Sequence, residues 1–510
     1  MMGDLPLRRP LRAAGATTKS VLLSCWKPRR GFFGAGLVAM DGHGMGLMER
    51  GMSNRTSAML IAAMLLCSSG PSQAQSQSQA PSGNGISNFL DNIFSAPKAG
   101  PAPQAAPGPD GGPPPWSGED GASGHPLMTA SAIREAAANF QNCVAAMWPD
   151  AARRNITQDN FQRFTAGLAP DLRIMDLMDS QPEFTKAIWD YLDILVNDNR
   201  LAKGREILAK YKSQFDAAEK AYGVDRYAVA SIWGIESNYS TQMGDRNVVN
   251  STATLACIGR RQAYFKDEFL TALEILNRGD LRVEQMRGSW AGAFGPTQFM
   301  PTAFKRYAVD GDGDGRRDVV DNASDLIAST ANNLKKDGWQ TGRTWGYEVV
   351  LPEGFNFMLA DKAKAMTIAQ WQSQGMKRAD GKPFPDSTEK AYLLAPAGAQ
   401  GPGFLMLQNF RVIMKYNPAE AYALAIGHFA DRLRGGLPFV QPWPRQERVL
   451  SRAERLELQQ ILAQRGFYKG TPDGQFGGQT REALRSFQAS IGTPADGFAS
   501  SDVLERLRGR

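Results

Sequence analysis

The sequence predicts a mainly α-helical protein, with a large helical body followed by a small three-helix module. Three observations predict it. The chain has 510 residues and is 42% hydrophobic, too long for one ordinary domain and apolar enough for real cores. Between residues 128 and 435, helical spacing of apolar residues dominates, broken by Gly-rich and Asp-rich loops. Residues 451–510 then set Leu458, Ile461 and Leu462 on one expected helix and Ala483, Leu484 and Phe487 on another.

The N-terminal part reads as an export signal. In residues 52–74, Arg55 supplies the positive start, Ala58 to Cys67 a short apolar run, and Ser72-Gln73-Ala74 a small-residue cleavage site. The run is too short to span a bilayer. Met52 is therefore the expected start and Ala74 the last residue removed; the alternative is that residues 1–51 belong to the protein. Cys67 follows Leu66, a poor lipidation context, so a soluble protein of a Gram-negative periplasm is expected, with no transmembrane segment in the mature chain. The formal charge of +7 is concentrated here. Residues 1–51 carry eight Lys/Arg against three Asp/Glu and Arg55 adds one more, leaving about +1 from residue 75 onward. That leaves no basis for nucleic-acid binding.

Residues 75–125 are rich in Pro, Gly, Ser and Gln and read as a disordered linker. Within it, Ile86, Phe89, Leu90, Ile93 and Phe94 form one apolar helical face. This face suits a partner, a membrane surface or the enzyme itself, or is a transient helix without a role.

In the body, Asp225 is placed to cap a helix on which Val229, Ile232, Trp233 and Glu236 recur at i, i+3, i+4 and i+7. A glutamate on an apolar face is desolvated, which raises its pKa and suits it to general acid work. A core glutamate paired with an arginine or a backbone donor is the alternative. Further on, GSWAGAFGPTQFMP (288–301) has glycines that permit close backbone approach, with Ser289 and Gln298 as polar handles. It lacks the GK[ST] of a phosphate loop.

DGDGDGRRDVVD (310–321) fits a calcium loop. Asp310, Asp312 and Asp314 fill positions 1, 3 and 5, Arg316 offers a carbonyl at 7, and Asp318 and Asp321 stand at 9 and 12. A structural Ca²⁺ is expected, with no cofactor for catalysis. The body ends on a helix expected to begin at Asn417, with Pro418 and Glu420, carrying Tyr422, Ile426, Phe429 and Leu433 on one face.

Residues 436–450 form a Pro-rich joint, and residues 451–510 a cysteine-free module whose Asp473-Gly474 turn is echoed by Asp496-Gly497. Sixty such residues are expected to bind and not to catalyse. Of four cysteines, Cys143 and Cys257 survive signal cleavage and suggest one disulfide in an exported chain; two buried thiols are the alternative. Three histidines, one of them in the expected leader, exclude a His-rich zinc site or a Ser/His or Cys/His centre and leave carboxylate chemistry.

Taken in order, WDYLD around Tyr191, GIESNYS with Glu236, GRRQAYF (259–265), GSWAGAFGPTQFMP, the calcium loop, KKDGW and NFRVIMKYN resemble the lytic transglycosylase B family of peptidoglycan-cleaving enzymes over residues 128–435. The tail resembles the small peptidoglycan-binding module through GFYKGTPDGQFGGQT and Phe487-Gln488. The resemblance implies a lysozyme-like helical domain with a few short strands. It makes Glu236 the only catalytic acid/base and lets Ser289 orient it or the substrate's acetamido group. It assigns Tyr191, Ser237, Gln298, Tyr416, Asn417 and Tyr422 to the glycan groove, and Arg260, Arg261 and Tyr264 to saccharide and stem peptide. Asn333 stands where the family often has Tyr.

The implied reaction protonates the MurNAc–GlcNAc β-1,4 oxygen from Glu236. The acetamido group stabilises the cation, and the sugar's own C6 hydroxyl then closes on C1 to give 1,6-anhydroMurNAc. The implied partners are glycan strands, stem peptides and other cell-wall enzymes. Two alternatives stand beside this reading. A hydrolytic muramidase needs a second carboxylate, and a non-catalytic peptidoglycan-binding scaffold needs none.

Overall fold

The computed structural model describes residues 116–121, 125–178, 187–386, 388–474 and 476–509. The export signal, nearly all of the Pro/Gly/Ser-rich stretch and the apolar 86–95 segment lie outside the described residues. The described residues belong to one compact unit. Among them, no helix is long and apolar enough to cross a membrane.

A largely helical body is built around the helix Arg226–Ser237. Asp225 caps it by accepting the Tyr227 N–H. Every residue from Ala228 to Ser237 is buried, not one face alone. A helix shielded all round is a central one, and this one packs against the helices Asp198–Lys210, Lys212–Tyr222, Ala323–Lys336 and Glu420–Leu433. The expected one-sided pattern is thus a subset of a fuller burial. Its small residues, Ala228, Ala230, Ser231 and Gly234, let neighbours approach on the remaining sides.

Cys143, on the helix Phe140–Ala145, is disulfide-bonded to Cys257 at the end of the helix Val248–Cys257, with Cα atoms 6.0 Å apart. This joins the N-terminal helices to the body's core.

Strands β1 (Arg246–Asn247) and β2 (Arg287–Gly288) pair antiparallel beside the Gly-rich loop. A second sheet contains β3 (Gly346–Val350), β4 (Met366–Thr367), β5 (Lys377–Arg378), β6 (Lys390–Leu394) and β7 (Gly403–Met406), in the order β4-β6-β7-β3-β5 with antiparallel pairing. Its own small core holds Val349, Ile368, Trp371, Leu393 and Leu405.

The last body helix spans Glu420–Leu433, with Ala419 as its N-cap. Asn417, expected from the sequence to begin this helix, is not its cap. It terminates the preceding helix Gln408–Tyr416, and its Oδ1 accepts the Ala419 N–H at 3.1 Å across the joint. Pro418 and the preceding extended residue delay the new helix to Glu420. The joint 436–450 is packed against the body. Phe439 stacks on His428 with centroids 3.8 Å apart, and Trp443 lies against Phe404 and Trp189.

The tail has three helices, Arg452–Gln464, Gly478–Ser490 and Ser501–Arg508, around Leu458, Leu484, Phe487 and Leu504. The echoed Asp-Gly turns are held alike. Gln459 accepts the Asp473 and Gly474 N–H groups and donates to the Asp473 carboxylate. Gln488 accepts the Gly497 N–H and donates to Asp496. The module rests on the body. Arg481 pairs with Glu420, Arg485 donates to the Ala360 carbonyl, and Asp496 accepts the Ala399 N–H at 2.8 Å.

Candidate active site

The local sequence around Glu236 explains its placement. After Ser237 the chain turns through Asn238, Tyr239 and Ser240, all with positive φ (48°, 56° and 70°). Three consecutive left-handed non-glycine residues are costly and persist only where the surroundings impose them. Ser237 Oγ accepts the Ser240 N–H and the Trp233 indole donates to Ser240 Oγ, both at 2.9 Å, while Lys203 reaches the Asn238 carbonyl. The Tyr239 ring fills space left by glycines: a Cβ on Gly204 would lie 2.2 Å, and one on Gly234 2.7 Å, from its hydroxyl oxygen. GIESNYS is thus a motif for ending the central helix abruptly just past Glu236. Ser237 is fully buried and its hydroxyl is committed to this turn, which removes it from the expected sugar contacts.

Glu236 itself is buried, and Oε1 accepts a 2.7 Å hydrogen bond from the Tyr422 hydroxyl. Burial pushes its carboxyl up to about 7, against the smaller opposing effect of the Tyr422 bond. Among the described residues no second carboxylate contributes to that shift. Tyr422 and Tyr416 are both held well above the usual phenol range, by burial first and by the neighbouring Glu236 next. Tyr191 also acts on Tyr422. The fold therefore brings Glu236, Tyr191, Tyr416 and Tyr422 together from four separate helices.

The Gly-rich loop is a rigid wall. A Cβ on Gly288 would fall 1.9 Å from the Ala293 carbonyl oxygen, so no other residue fits there. Ser289 Oγ accepts the Ala293 N–H at 3.1 Å, which holds the loop closed on itself. Gln298, with φ 51°, donates to the carbonyls of Met243 and Gly295. Tyr416 donates to the Thr297 carbonyl, which ties this loop to the helix that ends at Asn417.

Arg260 donates to the Met178 carbonyl at 2.9 Å. Arg261 lies over the Tyr264 ring at 4.5 Å, and one turn further on the same helix Glu268, a buried carboxylate that the sequence reading did not single out, accepts the Thr302 N–H and hydroxyl. Asn333 is buried, with its Oδ1 lacking a hydrogen-bond partner.

In the Asp-rich segment, carboxylate oxygens of Asp310, Asp312, Asp314 and Asp325 lie within 4.8 Å of one another. Asp325, on the helix Ala323–Lys336 capped by Asn322, joins the expected loop residues. The carboxylates of Asp318 and Asp321 are not among these four and accept the Gln285 amide at 2.8 and 2.6 Å; the Asp318 N–H donates to Asp325, and Asp321 also pairs with Arg282. The Arg316 side chain reaches the Asp280 carbonyl. Backbone N–H groups, that of Gly315 foremost, hold Asp310 below the usual carboxylate range, whereas burial raises Asp325. An all-oxygen set of four carboxylates fits a hard divalent cation.

A buried carboxyl of raised pKa set among tyrosines in a mainly helical body fits an enzyme of the lytic transglycosylase class. The chain belongs to the family described as Transglycosylase SLT domain, matched over residues 139–431, and carries a putative peptidoglycan binding domain over 451–507. It is 29% identical over 268 residues to the membrane-bound lytic murein transglycosylase B of Escherichia coli, covering 50% of this chain and 72% of that protein. Its structure resembles SltB3 from Pseudomonas aeruginosa, solved in complex with NAG-anhNAM-pentapeptide, with TM-score 0.70 and 45% identity over 72% of this chain and 99% of that one. It also resembles the soluble lytic transglycosylase SltB1 of Pseudomonas aeruginosa, with TM-score 0.52 and 25% identity over 58% of this chain and all of the other.

Proposed function

We propose that this enzyme cleaves the MurNAc–GlcNAc β-1,4 bond of peptidoglycan without water, leaving 1,6-anhydroMurNAc ends, in the periplasm. The observation that carries the reading is the setting of Glu236: a buried carboxyl whose pKa is pushed up to about 7, bonded to Tyr422, with no second carboxylate among the described residues contributing to that shift. In this reading one group serves twice. Glu236 first donates its proton to the departing glycosidic oxygen. It is then an ionised base, stabilised by the Tyr422 hydroxyl, and takes the proton of the C6 hydroxyl as that oxygen bonds C1. The dry pocket disfavours attack by water. Tyr191, Tyr416, Asn417, Ser289 and Gln298 line the glycan path in this reading, and Arg261 reads a carboxylate of the stem peptide.

A Ca²⁺ held by Asp310, Asp312, Asp314 and Asp325 would brace the loop that precedes the helix Ala323–Lys336. It supplies structure and takes no part in the reaction. The tail module binds peptidoglycan and keeps the enzyme on its insoluble substrate. The experiment is Glu236→Gln. Loss of sacculus solubilisation with retained sacculus binding is the expected result; undiminished solubilisation overturns the assignment.

A further inference from the structure

The helix Glu420–Leu433 carries Tyr422, and its N-cap, Ala419, provides no capping side chain. Two contacts serve its first turn instead. Asn417 Oδ1 accepts the Ala419 N–H at 3.1 Å. Glu420, the first helical residue, is mostly buried and is held by two cations from different parts of the chain. Lys362 Nζ lies 2.9 Å from Glu420 Oε1, and both terminal nitrogens of Arg481, in the tail, donate to Oε2 at 3.4 Å. Burial alone would raise the Glu420 carboxyl; Arg481 first and Lys362 next outweigh it and hold it below the usual range. Tyr392 also faces this carboxylate. An ionised carboxylate in a first turn suits the helix dipole. The tail helix Gly478–Ser490 grips the other side of the pair as well. Arg485, four residues after Arg481 and so on the same face, donates at 2.7 Å to the Ala360 carbonyl, two residues before Lys362. Two residues after Glu420, Tyr422 donates to Glu236 Oε1 at 2.7 Å.

We infer that Arg481 and Glu420 are positioning residues: the tail module, docked through this pair, fixes the first turn of the helix from which Tyr422 orients Glu236. The module then does more than hold the enzyme on an insoluble substrate. Its seating completes the active site of the body, so cleavage is coupled to docking even on substrates that need no anchor. The inference rests on the proposed roles of Glu236 and Tyr422.

The test uses the mature full chain with short, soluble peptidoglycan fragments as substrate, and reads kcat and the pH profile of kcat/KM. Glu420→Gln separates positioning from charge by sign. Removing a negative charge would by itself favour ionised Glu236 and move the alkaline limb to lower pH. Loosening the first turn weakens the Tyr422 bond, which also favours the ionised form, and so moves the limb to higher pH. The limb should move to higher pH, with kcat lower by about threefold, the worth of a partly exposed ion pair. Arg481→Ala should lower kcat alike, and Arg481→Lys, which keeps the charge, should restore most of it. In a Tyr422→Phe background neither Glu420→Gln nor Arg481→Ala should cost anything further, because the group they position is gone. A limb that stays in place or moves to lower pH in Glu420→Gln overturns the positioning role. So does full additivity of either variant with Tyr422→Phe, and Arg481→Ala carries that test if Glu420→Gln fails to fold. A Tyr422→Phe enzyme whose limb does not move overturns the reading of Tyr422 and the inference with it.

Discussion

The Tyr422 hydroxyl donates a 2.7 Å hydrogen bond to Glu236 Oε1 across a sequence separation of 186 residues. It is the polar contact that fixes the orientation of the buried carboxyl. It favours the ionised form, against the larger effect of burial. In Tyr422→Phe the Glu236 pKa therefore rises further above about 7, and the alkaline limb of kcat/KM moves to higher pH. The maximal rate should fall about tenfold or more, the worth of a hydrogen bond to a charged group. A pH–rate profile of the two enzymes checks both.

The raised pKa of Glu236 also affects stability. The folded state holds this proton up to about 7, whereas the unfolded carboxyl releases it near 4.5. The folded state thus binds more protons between those values, and stability falls as pH rises through that window. The loss is on the order of 3 kcal/mol. Glu236→Gln removes the penalty, so its melting temperature should exceed that of the wild type at pH 8 and approach it at pH 4. Thermal scans at the two pH values measure the difference.

The Cys143–Cys257 disulfide closes a segment of 114 residues. Such a cross-link mainly restricts the unfolded chain, so Cys143→Ser with Cys257→Ser should cost on the order of 2–5 kcal/mol. Denaturant midpoints compared with the oxidised protein report this.

The oxygen cluster makes a test of metal binding at two kinds of position. Ca²⁺ should raise the melting temperature and a chelator should lower it. Asp325→Asn should abolish the calcium-dependent shift. Asp321→Asn, outside the four-carboxylate set and bonded to Gln285, should retain it. A shift lost in Asp321→Asn and kept in Asp325→Asn would restore the ligand set expected from the loop spacing.

The docked tail carries its own prediction. Arg481→Ala with Asp496→Ala removes an ion pair and a hydrogen bond that join it to the body. Calorimetry should then resolve a separate, lower-melting transition for residues 451–509.

Short-range pattern made Glu236 legible, because four residues at helical spacing placed it on an apolar helix before its partners were known. Its partner was not legible: Tyr422 stood on the apolar face of a late helix and was assigned to the glycan groove by resemblance, and only the packing of two helices brings its hydroxyl to Glu236. Ser237 was assigned to the glycan groove by resemblance; its role in the turn was not legible, since its hydroxyl accepts the Ser240 N–H only once the chain folds back after the helix. Asp325 escaped because it belongs to the helix after the loop, outside the twelve-residue spacing. The sheet from β3 to β7 was legible only as a few short strands, since its segments run from two to five residues and pair across long connections. The repeated Asp-Gly turns of the tail were visible in sequence, whereas the glutamines that hold them were not, lying 14 and 8 residues before their aspartates.

The most direct measurement is the mass of the muropeptides that residues 75–510 release from purified sacculi. Products ending in 1,6-anhydroMurNAc, one water lighter than hydrolysed ones, are predicted, because Glu236 acts alone and the C6 hydroxyl closes on C1. Products ending in reducible MurNAc would contradict the account and require a second group to activate water.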